Sequence, residues 1–96
     1  MPETVLLVLS QGSVPVPAER LLGLAKELRS IQGTFTVRAK IERALAANAV
    51  AVRLDRYEKA TLLDALNEVM RNRGVDAIGP ELTLVHGELQ SDLGLV

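Results

Sequence analysis

Arg38, Lys40 and Arg53 are the residues of this chain whose types and spacing could act as a group. A separation of two puts Arg38 and Lys40 on one side of an extended segment, and a neighbouring strand brings Arg53 across from Arg38. Like charges opposed across strands repel. Such a cluster either faces water at a sheet edge, where charge discourages further strand pairing, or holds an anion: a phosphate, a carboxylate ligand or an acidic partner. Nucleic acid is not the expected anion. The chain has 11 Lys and Arg against 12 Asp and Glu, a formal net charge of −1, where a binder of phosphate backbones carries a basic surplus. Its aromatic residues, Phe35 and Tyr57, are too few to make a stacking platform for bases.

The other candidate chemistry is thinner. His86 is the single histidine, with Glu88 two residues on. One imidazole and one carboxylate are too few ligands for a dedicated metal site. As an acid–base residue, His86 would need a group to orient it, so it serves an enzyme only if a second subunit completes the pocket. Ser10-Gln11-Gly12-Ser13 lies between a strand and a helix, but lacks the lysine and glycine spacing of a phosphate loop. Pro15 and Pro17 also remove N–H donors there. The stretch reads as a connector. Carboxylates such as Glu3, Glu19, Glu27, Glu42, Asp64, Glu68 and Asp92 fall on wet faces or at element ends, where they keep ordinary acidity. Asp76, flanked by apolar residues, suits a turn bond to backbone N–H groups. No catalytic residue, metal or cofactor is expected, and with no cysteine there is neither a disulfide nor a thiolate site.

The elements that position these residues fit a single α+β domain over 1–96, 48% hydrophobic. Val5-Leu6-Leu7-Val8-Leu9 is an unbroken apolar run, unlike the alternation of a strand with one wet face, so it predicts a strand buried on both sides. A helix follows from about Pro17 to Ile31, with Leu21, Leu24, Ala25, Leu28 and Ile31 on its dry side and Gly33 as its left-handed stop. A second helix starts at the capping box Asp55–Glu58. Its stripe is Leu62, Leu63, Leu66, Val69 and Met70, and it ends at Gly74 behind Arg71 and Arg73, which suit the negative end of the helix dipole. Strands flank it at 50–54 and 82–85, the latter after the Gly79-Pro80 break.

Residues 34–48 read two ways. Phe35, Val37, Ala39 and Ile41 alternate with polar residues as in a strand, while Val37, Ile41, Ala44 and Leu45 also share one side of a helix. The strand reading is favoured and makes the order βαββαβ, which resembles ferredoxin-like folds in element order alone. It pairs Val37 with Leu54, Ala39 with Val52 and Ile41 with Val50. The helical reading gives βααβαβ with a three-stranded, parallel sheet. Both are open sheets with amphipathic helices on one face.

That architecture leaves a helix-free face carrying Leu6, Val8, Ala49, Ala51, Thr83 and Val85, small and apolar, rimmed by the three basic residues. Exposed apolar faces mark interfaces, and two-fold dimers are the commonest assemblies. The expectation is a non-catalytic interaction module that self-associates through this face, with another protein as a further partner. The alternatives are a binding module for a small anionic ligand or nucleic acid, and a small enzyme with an inter-subunit pocket around His86. The N-terminus has neither the basic start of a secretory signal nor a 20-residue apolar span, which makes the cytoplasm the expected compartment.

Overall fold

The computed structural model describes residues 3–10 and 12–95. Its elements are β1 (Thr4–Leu9), β2 (Gly12–Pro17), α1 (Ala18–Leu28), α2 (Phe35–Ala46), β3 (Ala51–Arg53), α3 (Arg56–Arg73) and α4 (Gly79–Asp92). The three strands form one mixed sheet in the order β2-β1-β3. β1 runs antiparallel to β2 and parallel to β3. The protein is therefore a small α+β domain with an open sheet and four helices, in the order ββααβαα. The ferredoxin-like order does not form, and the three-stranded sheet is mixed where the alternative expected it parallel.

Three segments account for the difference. Within the stretch 10–17, expected to be a connector, Gly12–Pro17 forms β2. Val14 and Val16 supply its buried side, and its prolines are accommodated because of how the strand is oriented. Leu6 donates to Val50 O at 2.9 Å, and Leu54 donates to Val8 O at 3.4 Å. The even-numbered backbone groups of β1 thus face β3, and the odd-numbered ones face β2. Through the pairs Val5–Val16, Leu7–Val14 and Leu9–Gly12, the even residues of β2 face β1. Pro15 and Pro17 therefore point their missing N–H groups away from the ladder, the position in which an edge strand tolerates proline.

Residues 35–46, of which the part through Glu42 is favoured as a strand by its alternation, are helical. Val37, Ile41 and Leu45 are buried at a spacing of four, whereas Phe35, which a strand would bury beside Val37, is 69% exposed. Good helix formers from Ala39 onward outweigh the β-prone start. The third segment, 82–85, lies in α4. Leu82, Val85 and Leu89 are buried while Leu84 stands in solvent, a helical period. Gly79 and Pro80, expected as a break, begin the helix: Gly79 takes a φ of +80°, and Pro80 occupies the first turn, where its absent N–H costs nothing.

The remaining elements form where the sequence places them, with two corrections. α1 ends at Leu28, short of Ile31 and Gly33. β1 is not buried on both sides as expected: Val5, Leu7 and Leu9 face the helices, while Leu6 is 38% exposed and Val8 half-buried. The central strand thus alternates despite its uniformly apolar composition. α1 buries Leu21, Leu24, Ala25 and Leu28, and Ile31 packs against the core from the turn beyond. Both halves of the α3 capping box form, with Glu58 N–H donating to Asp55 Oδ1 and Asp55 N–H to Glu58 Oε1, each at 2.8 Å. Thr34, buried between α1 and α2, places its hydroxyl 2.7 Å from Leu28 O and 2.8 Å from Ile31 O. It thereby satisfies carbonyls at the end of α1 instead of capping α2. Asp76 is exposed in the α3–α4 turn, where its backbone carbonyl, not the expected side chain, accepts from Gly79 N–H.

Both borders of the sheet offer few backbone groups to a further strand. Within β2, Ser13 alone turns an N–H outward. On β3, which spans three residues, Lys40 Nζ donates to Arg53 O at 2.7 Å. Restoring donors with Pro15→Thr and Pro17→Thr is expected to produce concentration-dependent species larger than a dimer in sedimentation velocity. An unchanged distribution would show that the prolines do not guard this edge.

Candidate interaction surface

The helices all lie on one side of the sheet, leaving the other side open. The registers Leu6–Pro15, Val8–Ser13, Leu6–Ala51 and Val8–Arg53 lay out its face: Thr4, Leu6 and Val8 on β1, Ser13, Pro15 and Pro17 on β2, Ala51 and Arg53 on β3. Leu6, Val8, Pro15, Pro17 and Ala51 make a continuous small apolar surface, and Arg53 supplies its one charge. Each strand alternates, so the residues that fill the core and those that form this face are set by a single register.

Of the face expected from sequence, Leu6, Val8 and Ala51 are in place. Ala49 precedes β3 and is half-buried. Thr83 and Val85 do not belong to it. Thr83 lies on the exposed side of α4 and donates to Gly79 O at 2.7 Å, while Val85 is fully buried in the core. Helix formation at 79–92 removes both. In exchange Pro15 and Pro17 join, which treating 10–17 as a connector had concealed.

The basic group also disperses. Because α2 is helical, Arg38 and Lys40 lie about 200° apart around its axis instead of side by side. Arg38 sits over the Phe35 ring at 5.3 Å. Lys40 pairs with the buried Glu58 at 2.7 Å, so its charge is spent on the capping box and the β3 edge. Arg53 alone stays with the sheet face, and the cross-strand cluster does not form. His86, on α4, lies with Nε2 2.7 Å from Asn67 Oδ1 of α3. It joins two helices, and Glu88 is exposed.

One buried polar cluster escaped sequence reading. Lys59, in the first turns of α3, places Nζ 2.8 Å from Asp92 Oδ2 and 2.5 Å from Ser10 Oγ. Ser10 N–H donates to the same carboxylate oxygen at 2.9 Å. The side chains of Lys59 and Asp92 are 8% and 4% exposed. The Lys59 hydrogen bond, followed by that from Ser10 N–H, holds the Asp92 carboxyl below its ordinary value of 3.8, against the opposing effect of burial. The pair brings a lysine beside a serine hydroxyl, with the Lys59 amine held between that hydroxyl and the Asp92 carboxylate. The cluster ties Asp92, the last residue of α4, to Ser10 after β1 and to α3. Sequence offered no signal for it, since Ser10, Lys59 and Asp92 are joined only by tertiary structure.

No family model matches the chain, and no curated protein or solved structure matches it either.

Proposed function

We propose that the protein is a non-catalytic interaction module that self-associates face to face through the helix-free side of its sheet. The observation that carries this reading is the exposure of Leu6 at the centre of the sheet, 38% open to solvent and flanked by Pro15 and Ala51. A central strand is where a sheet is ordinarily best covered. The sparsely furnished borders support the same reading, because they leave the face as the readier route by which two sheets can meet, in the manner of a sandwich.

Dimensions set the strength. Two strands of six residues and one of three cover about 240 Å² per protomer at ordinary strand spacing. A stable interface uses about 800 Å² per partner. The face is well below that size, so a dimer formed through it is expected to be weak. Sedimentation equilibrium from 10 µM to 1 mM is expected to show a monomer–dimer equilibrium that Leu6→Asp abolishes without lowering the melting temperature. A monomer throughout that range removes the proposal.

A further inference from the structure

On the opposite side of the domain, α1, the end of α3 and the start of α4 enclose a groove of about 390 Å³, within the range of small-molecule sites. Leu24, Val69, Ile78 and Leu82 form its floor, each nearly inaccessible to solvent. Charged side chains stand at its rim. Glu27 and Arg73 form an ion pair from α1 to α3, which satisfies both. Arg20 differs. Its one ion-pair partner within 4 Å among the described residues is Glu81, at 3.6 Å, beyond hydrogen-bond reach. Glu81 Oε1 is likewise buried without a hydrogen bond.

Two glycines shape the groove, and only one is explained by the protein's own packing. Gly79 has a positive φ, and a Cβ there would meet Arg20 Cζ at 2.8 Å. Its bare backbone lets the guanidinium lie against the start of α4. Gly23, in the middle of α1, has no such reason. Nothing lies within 4 Å of the Cβ it lacks, and its φ is not in the left-handed region. A glycine inside a helix weakens it relative to alanine, and here no internal contact compensates. What the missing side chain does supply is room along the groove wall.

We infer that this groove binds a small aliphatic carboxylate, with the chain on the Leu24–Leu82 floor and the carboxylate on the Arg20 guanidinium. The planar fork of arginine matches the two carboxylate oxygens, and Arg20 holds its donors at the rim without a competing hydrogen bond. The rim carries Glu19 as well, which makes two sources of the same chemistry distinguishable: a plain carboxylic acid, or an amino acid whose ammonium Glu19 receives. This site shares no residue with the sheet face and stands whether or not the protein dimerises.

Octanoate, leucine and octylammonium, titrated into ¹⁵N-labelled protein, test the inference. Octanoate is expected to shift the amides of Gly23, Ala77 and Ile78 with a dissociation constant of ~1 mM, what about ten heavy atoms deliver at modest efficiency. Arg20→Gln weakens it by about tenfold, the contribution of one charge-assisted hydrogen bond, and Gly23→Leu fills the groove and abolishes binding. Tighter binding by leucine identifies an amino acid; tighter binding by octanoate identifies a plain acid. Absence of shifts with both carboxylates overturns the inference. So does equal binding of octylammonium, or binding indifferent to Arg20→Gln. Both substituted positions are exposed or half-exposed in α1, so the variants retain the fold, and the amide spectrum itself verifies this.

Discussion

Val85→Asp is expected to leave no stably folded protein at 25 °C, while Leu84→Asp, one residue away, melts within a few degrees of the parent. Val85 is fully buried beneath the sheet, and Leu84 is 64% exposed. An aspartate at 85 loses the burial of a valine, about 1.5–3 kcal/mol. It also forces a carboxyl into an apolar site without a partner, at a further cost of several kcal/mol. The sum is on the order of 5 kcal/mol, comparable with the whole stability of many small domains. At 84 the new carboxylate stays in water. Far-UV circular dichroism and thermal melts of the two variants check the prediction. They also discriminate between elements: a strand over 82–85 would bury Leu82 together with Leu84 and put Val85 on the open face, reversing the order of the two effects.

The second large effect belongs to the Lys59–Asp92 pair. Asp92→Ala leaves the ammonium of Lys59 covered with only Ser10 Oγ to receive it, and strips the Ser10 N–H of its acceptor. Exposed pairs contribute less than about 1 kcal/mol, and severing a deeply buried one costs about 3–5. This pair is covered but shallow, beside the exposed Ser10, so a loss of about 2 kcal/mol is expected by urea denaturation. The double variant Lys59→Met/Asp92→Leu is expected to recover most of it, because no charge then remains unpaired. A double variant as unstable as Asp92→Ala would mean that the hydrogen bond to the turn, not the ion pair, is what matters.

The same pair sets an acid dependence. The Asp92 carboxyl is lowered in the folded state, so the unfolded chain binds its proton first as pH falls. The stabilisation is fully present above about pH 5, where both states are ionised, and drains away as pH drops through the ordinary value of 3.8 and on through the lower folded-state value. Subtracting the pH profile of Asp92→Asn from that of the parent isolates the contribution, which is expected to flatten above pH 5.

Much of the helical structure was legible because its signals are local. The capping box at Asp55–Glu58, the leucine stripe of α3 and the dry face of α1 depend on residues three or four apart, and each forms as its spacing dictates. The errors came where a short apolar run is compatible with two periods. Thr34-Phe35-Thr36-Val37 is β-prone, but Thr34 is drawn away to the carbonyls that end α1, and the alanines beyond favour the helix. In 10–17, prolines argued against a strand, and only the pairing partner shows that their N–H positions point outward. The uniform Val5–Leu9 run pointed to double burial, yet among the described residues no helix covers the side of β1 that carries Leu6 and Val8. For the open face, Leu6, Val8 and Ala51 were accessible to sequence reasoning because β1 and β3 were recognised. Thr83 and Val85 were misplaced with their element, and Pro15 and Pro17 were missed with theirs. The three basic residues scattered for the same reason: their grouping required residues 37–41 to be extended.

The central strand enters into partnerships of very different range. Leu6 meets Pro15, nine positions on, and Ala51, 45 positions on. During synthesis the hairpin can close as soon as its second arm emerges, whereas the other flank of β1 waits for half the chain. Throughout that interval the hairpin's outer arm is already shielded by its prolines. The nascent chain therefore exposes a single pairing-competent border, the one reserved for residues 51–53.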